Sequence, residues 1–272
     1  MLRIFLFLIL NAISVNVFAQ SKADSLFMSG GEAFELENYS EAIKNFKELV
    51  RNYKGFEYYN QAVYNLAYTY DASDSLDQAI LWYEKIRSSN VKDNSRVGGR
   101  GIFEPYANYK HFSTSNIASI EYNRGNYEKA LDYYTQSLNK FPYFNSSGTD
   151  LRINENRLKI YLVDCLKKLK RFDEALDIIV LQALASKGSS NYQSVVKSAI
   201  VLINENFDKN KIASEIENSL TTIKRKGTGS FELNWRNKKT TIHPYSAGQN
   251  LTVAKLKDEI KQSLFWTELT KP

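Results

Sequence analysis

A six-residue phrase returns four times along this 272-residue chain, and it restricts the fold more than any bulk property does. It reads Glu37-Asn38-Tyr39-Ser40-Glu41-Ala42, Asp74-Ser75-Leu76-Asp77-Gln78-Ala79, Gly125-Asn126-Tyr127-Glu128-Lys129-Ala130 and Lys170-Arg171-Phe172-Asp173-Glu174-Ala175. Four residues beyond each Ala stands a large apolar or aromatic side chain: Phe46, Tyr83, Tyr134 and Ile179. Each phrase follows a stretch whose apolar residues recur at spacings of three and four, so the unit reads helix, tight turn, helix. The Ala positions have a physical reason. Where two helices cross at the usual separation of about 8–10 Å, a side chain larger than Ala pushes the axes apart.

This pattern resembles the tetratricopeptide repeat over most of residues 22–186. The third copy matches best, with Ala118 at the small position of the first helix, Gly125 and Tyr127 at the turn, Ala130 and Tyr134 in the second helix, and Pro142 closing the unit. The first copy supplies Gly30, Tyr39, Ala42, Phe46 and Leu49; the second supplies Leu66, Ala67, Tyr70, Ala79, Tyr83 and Ile86. The fourth has Leu162, Phe172, Ala175 and Ile179, with Val163 where the family prefers a small residue. The resemblance implies an all-α, right-handed helical-repeat solenoid, expected over residues 20–186.

The marker alanines lie 37, 51 and 45 residues apart, against a family period of about 34. The surplus is expected as insertions at 88–104, around Gly98-Gly99-Arg100-Gly101, and at 144–150, around Asn145-Ser146-Ser147-Gly148, with Pro105 opening a lengthened helix toward Arg124. Helices at 191–206 and 210–226 are expected to cap the stack within 187–226. Beyond Gly227 the period changes to two. Phe231, Leu233 and Trp235 alternate with polar residues and Thr240-Thr241-Ile242 follows, a β-hairpin. A final helix through Leu256, Ile260 and Leu264, capped by Thr252, completes a hairpin-and-helix appendage over 227–272.

The ends differ in character from the body. Arg3, the apolar run from Ile4 to Leu10 and the small-residue site Val17-Phe18-Ala19 read as an export signal over 1–19, cleaved after Ala19. The run is shorter than the roughly 20 residues that span a bilayer, so no stable transmembrane segment is expected after cleavage. A periplasmic or extracellular location follows as an expectation. Residues 20–207 carry 23 basic and 23 acidic side chains, whereas 208–272 carry 12 against 7. A neutral body argues against nucleic acid as partner. Asn38-Tyr39-Ser40, Asn145-Ser146-Ser147 and Asn250-Leu251-Thr252 match the glycosylation acceptor pattern.

Little in the chain is arranged for catalysis. A single Cys165 excludes an internal disulfide and multi-cysteine zinc sites, and His111 and His243 are too few and too separated for a histidine-rich metal centre. The Gly98–Gly101 loop lacks the Gly-Lys-Ser/Thr ending of a phosphate loop. No acid/base pair or triad can be named, and no catalytic residue, metal or cofactor is expected. In the resembled family the first helix of each unit lines the concave face. Transferred here, that face carries Tyr64, Asn65, Tyr68, Asp71, Asn116, Ser119, Tyr122 and Asn123, flanked by Phe27, Phe34, Asp164 and Lys167. Tyr64 and Ser115 stand where the carboxylate-gripping subfamily carries Lys, so that mode is not implied. The expected function is a non-catalytic scaffold for a protein or peptide. A carbohydrate-binding or envelope accessory protein is the alternative, since Tyr and Asn also suit sugars, and an enzyme with its site near the C-terminal hairpin is a third.

Overall fold

Four turns of one geometry organise the chain. A computed structural model describes residues 21–97, 106–245 and 251–271. At Glu37, Asp74, Gly125 and Lys170, each five residues before a marker Ala, φ is +57°, +58°, +80° and +60°. The next amide donates to the carbonyl five residues back at every turn: Asn38 to Ala33, Ser75 to Tyr70, Asn126 to Glu121 and Arg171 to Leu166, at 2.8–2.9 Å. This is the left-handed closure that ends one helix by satisfying its last carbonyls. The second helix then starts at once, with the amides of Ala42, Ala79, Ala130 and Ala175 bonding to the carbonyls four residues earlier.

The helices so joined are α1 (21–35) and α2 (Tyr39–Asn52), α3 (Tyr59–Ala72) and α4 (Leu76–Arg87), α5 (Tyr109–Asn123) and α6 (Tyr127–Asn139), and α7 (Gly148–Lys168) and α8 (Phe172–Ala185). All four marker alanines are fully buried, as is Ala118. Val163, the oversized residue of the fourth copy, is fully buried too, in a core with Ala175, Ile179 and Val180. The helical-repeat architecture expected from the sequence is therefore present.

The chain divides into two units. The first runs to Ser95 and resumes over Ala107–Ile120; the second takes the remainder. In the first, α2, α3 and α4 pack in sequence, with Phe46, Leu49, Leu66 and Tyr83 fully buried. The second continues past α8 with α9 (Tyr192–Asn206), α10 (Lys209–Thr221), β1 (Lys224–Gly227), β2 (Ser230–Trp235), β3 (Lys238–Ile242), α11 (Val253–Lys261) and α12 (Leu264–Thr270).

Several local expectations are corrected. Helix α5 starts at Tyr109, after Asn108 at φ +50°, and the buried Asp93 supplies its cap. Its two carboxylate oxygens accept from the amides of Lys110 (2.9 Å) and His111 (2.8 Å). The loop expected over 144–150 yields to helix at Gly148, where the Ser147 hydroxyl accepts from the Asp150 amide. Helix α10 ends at Thr221, and 224–227 instead form a third strand, giving an antiparallel sheet ordered β1-β2-β3. The last helix is two, since Ser263 caps α12 through the Trp266 amide at 3.2 Å. The small sheet and helices follow the repeats as expected. They also share one core with them: Phe231, Leu233, Trp235, Leu256 and Phe265 are buried in the same cluster as Leu176, Val195 and Ile216.

The export signal expected at 1–19, the loop expected at Gly98–Gly101, Pro105 and Asn250 lie outside the described residues. Among those described, no helix is long and apolar enough to cross a membrane.

Candidate functional site

Helices α1, α3 and the first part of α5 bring a run of aromatic rings together in the first unit. Tyr64 and Tyr68 lie one turn apart on α3, the spacing that places side chains on one helical face. Their rings are nearly parallel, 10° apart with centroids at 6.2 Å. Phe34 of α1 lies 5.5 Å from Tyr68, and Phe112 and Tyr109 of α5 lie 6.4 and 5.7 Å from Tyr64. Tyr68 is 46% exposed, while Tyr64 and Phe34 are half-buried and Tyr109 is buried. The ladder thus has a packed foundation and one ring open to solvent.

A polar layer fixes the rings from beneath. The Asn116 amide nitrogen donates to the Tyr83 hydroxyl at 2.9 Å and to the Tyr64 hydroxyl at 3.3 Å. Tyr83 in turn donates to Asp71 Oδ2 at 3.2 Å. Tyr83 is fully buried in α4. Burial pushes its phenol strongly upward, with Tyr64 and Asp71 adding to the shift, so it stays a neutral donor. Burial also raises the Asp71 carboxyl, which the Tyr83 bond partly offsets and Asp74 reinforces. A chain of satisfied polar groups of this kind specifies one arrangement of the rings above it.

Of the eight expected site residues, the structure joins Tyr64, Tyr68, Asp71 and Asn116. Asn65 is half-buried and its carbonyl accepts from the Thr69 hydroxyl at 2.6 Å. Ser119 is half-buried in the same unit. Tyr122 and Asn123 belong to the second unit, where Tyr122 packs edge-on against Tyr127 at 5.3 Å and Asn123 is exposed. Phe27 sits apart from the ladder, against Phe46, Phe56 and Tyr58. Asp164 is half-buried with its carboxyl raised by burial, and Lys167 pairs with Glu205 at 3.3 Å. Three contributors, Tyr83, Tyr109 and Phe112, are not among the residues expected from the sequence. Tyr83 was legible only as a filler between units, although a Tyr in place of Phe at that point carries a hydroxyl that must find a partner. Phe112 gave no signal, because the start of α5 depends on the distant Asp93.

Other candidates resolve as structural. His111 is fully buried, edge-on to Phe112 at 5.4 Å, and His243 is exposed. Cys165 is fully buried, and its thiol is pushed up to about 12, first by desolvation and then by Asp164, the reverse of an activated nucleophile. A cleft of 680 Å³ in the second unit is lined by Asp173, Asp177 and Glu215 around Arg236. Its charges pair with one another: Arg236 reaches Asp173 at 2.7 Å, Asp177 at 3.4 Å and Glu215 at 3.6 Å, and Lys238 reaches Asp177 at 3.5 Å. The Trp235 indole adds a bond to Asp177 at 2.8 Å. These contacts tie the β2–β3 turn to α8 and α10. Among the described residues no group of three or more His, Cys, Asp or Glu is placed to hold a metal.

No curated protein matches the sequence. Solved structures do, at low identity. Two MamA structures, one of a mutant and one of the AMB-1 protein, are 12% and 13% identical, with TM-scores of 0.43 and 0.44; the matches cover 68% and 70% of this chain and 82% and 83% of theirs. A tetratricopeptide repeat protein from Parabacteroides merdae is 14% identical over 92% of this chain and 89% of its own, with a TM-score of 0.38. Family comparison matches the tetratricopeptide repeat at residues 27–92 and again at 116–142. Three of the four helix-closing turns, with their buried alanines, lie within those matches, so the chain carries tetratricopeptide repeats at residues 27–92 and 116–142.

Proposed function

We propose that this protein is an exported, non-catalytic scaffold that holds a protein or peptide partner on the aromatic surface of α1, α3 and α5. The repeat fold suggests a protein-interaction scaffold. The observation that supports this particular surface is Tyr68, whose ring is stacked on Tyr64 and braced by Phe34 yet remains 46% exposed. An aromatic side chain held in place before binding loses little conformational freedom when a partner arrives, which is why such residues dominate interface energies. Export rests on the signal-like residues 1–19.

Site-specific crosslinking tests this reading. A photoreactive amino acid in place of Tyr68, in the full chain expressed in its own host, is expected to give a discrete polypeptide adduct. The same residue in place of Leu151, which is exposed in the second unit, serves as the control. Adducts that contain glycan and no polypeptide favour the carbohydrate reading, and equal adducts at both positions remove the site assignment.

A further inference from the structure

A second surface of the first unit has the chemistry of a ligand recess. A cleft of about 640 Å³ opens among α2, α3 and α4, within the size range of small-ligand pockets. Five cationic side chains surround it, Lys44, Lys47, Arg51, Lys54 and Lys85, against one carboxylate, Glu48. The local net charge is therefore +4, within a body whose charges sum to zero.

Two of the five are engaged. Lys44 pairs with Glu41 at 3.2 Å, and Lys85 lies over the Trp82 ring at 4.3 Å. Lys47, Arg51 and Lys54 are exposed and have no ion-pair partner among the described residues. The floor is apolar, formed by the buried Val50 and the half-buried rings of Tyr59 and Trp82. None of these residues belongs to the aromatic ladder.

We propose that this cleft docks an acidic peptide segment carrying one large apolar side chain. Cations spread over α2, α4 and the segment between α2 and α3 need several carboxylates spaced along one ligand, which a peptide supplies and a single small anion does not. The Val50, Tyr59 and Trp82 floor is suited to an inserted apolar side chain. Nucleic acid fits poorly, because the 23 basic and 23 acidic residues of the body leave no continuous basic track. A bilayer meets protruding surface, whereas these charges ring a recess. Complementary charge of this kind chiefly speeds and orients encounter, while the apolar anchor holds the ligand.

The test uses the mature chain and a fluorescein-labelled peptide of four glutamates flanking a central leucine, followed by fluorescence anisotropy at two salt concentrations. Lys47→Glu with Lys54→Glu is expected to weaken binding at least about tenfold, and Trp82→Leu to do the same. A control pair of equal charge change, Lys22→Glu with Lys129→Glu, is expected to leave it nearly unchanged. Neutral Lys47→Gln with Lys54→Gln gives an intermediate loss and stands in if the reversed pair melts early. Equal weakening by the control pair would reduce the effect to net charge. An all-glutamate peptide binding as tightly would show that the floor takes no side chain. Binding to phosphatidylglycerol vesicles with no peptide binding would replace the proposal with a membrane contact.

Discussion

Two adjacent glycines of α1 should respond to the same substitution with opposite sign. Gly30 is buried where α1 crosses α2, and a Cβ placed there meets three atoms of the Phe46 ring at 2.7, 2.9 and 3.0 Å. That ring is only 1% exposed and lies edge-on to Phe27 at 6.3 Å, so it has little room to withdraw. Gly31 meets nothing within 4 Å. Gly→Ala within a helix is favoured by about 1 kcal/mol from propensity alone. Overpacking a tight core costs about 1–3 kcal/mol, so Gly30→Ala should lose up to about 2 kcal/mol net. Gly31→Ala should gain about 0.5–1 kcal/mol. Thermal unfolding followed by circular dichroism should separate the two variants by about 5 °C or more. If Gly30→Ala melts with or above Gly31→Ala, the α1–α2 crossing is not a close one, and the reason given for small residues at such positions fails.

Three further outcomes follow from the same geometry. Lys170 sits at φ +60°, where a side chain strains the backbone and glycine does not. Lys170→Gly should therefore stabilise by about 0.5–1 kcal/mol in a denaturant titration. Asp71, its folded pKa raised chiefly by burial, contributes stability that is present below the unfolded carboxylate pKa and lost as pH rises through the folded one. Wild type should thus lose ground to Asp71→Asn between mildly acidic and neutral pH, and a flat difference would show that Asp71 is solvated. A chain ending at Lys226 removes Phe231, Leu233 and Trp235 from the second unit's core. It should expose apolar surface, aggregate and lose cooperative unfolding of that unit, whereas intact cooperative unfolding would mark the sheet as a dispensable attachment.

What could be read from the sequence was local. The turn phrase is legible because everything it encodes lies within six residues: the left-handed residue, the helix restart and the small side chain at the crossing. It works even where Glu37, Asp74 or Lys170 occupies the position that Gly125 fills without strain. Distant partners decided the rest. The start of α5 is set by Asp93, 17 and 18 residues before the amides it caps, and no periodicity reports such a contact. Strand β1 is exposed along its whole length, with no buried alternation to betray it; it exists because Lys224 and Arg225 pair with Glu232 and Phe231. The break between α11 and α12 depends on one serine cap inside a continuous apolar pattern.

The candidate site divides in the same way. Tyr64 and Tyr68 share a face by spacing alone, and that was visible in the sequence. The brace beneath them was not, since it joins Asn116 to a tyrosine 33 residues away and to another 52 residues away.

Tyr68 is the exposed ring of the aromatic surface. With the crosslinked partner identified and purified, titration calorimetry should give a dissociation constant about 30-fold or more higher for Tyr68→Ala than for wild type, the loss of about 2 kcal/mol that marks an anchoring aromatic. Because the ring is 46% exposed, the melting temperature should stay close to that of wild type. An unchanged dissociation constant at unchanged stability would contradict the proposal that the aromatic surface of α1, α3 and α5 holds the partner.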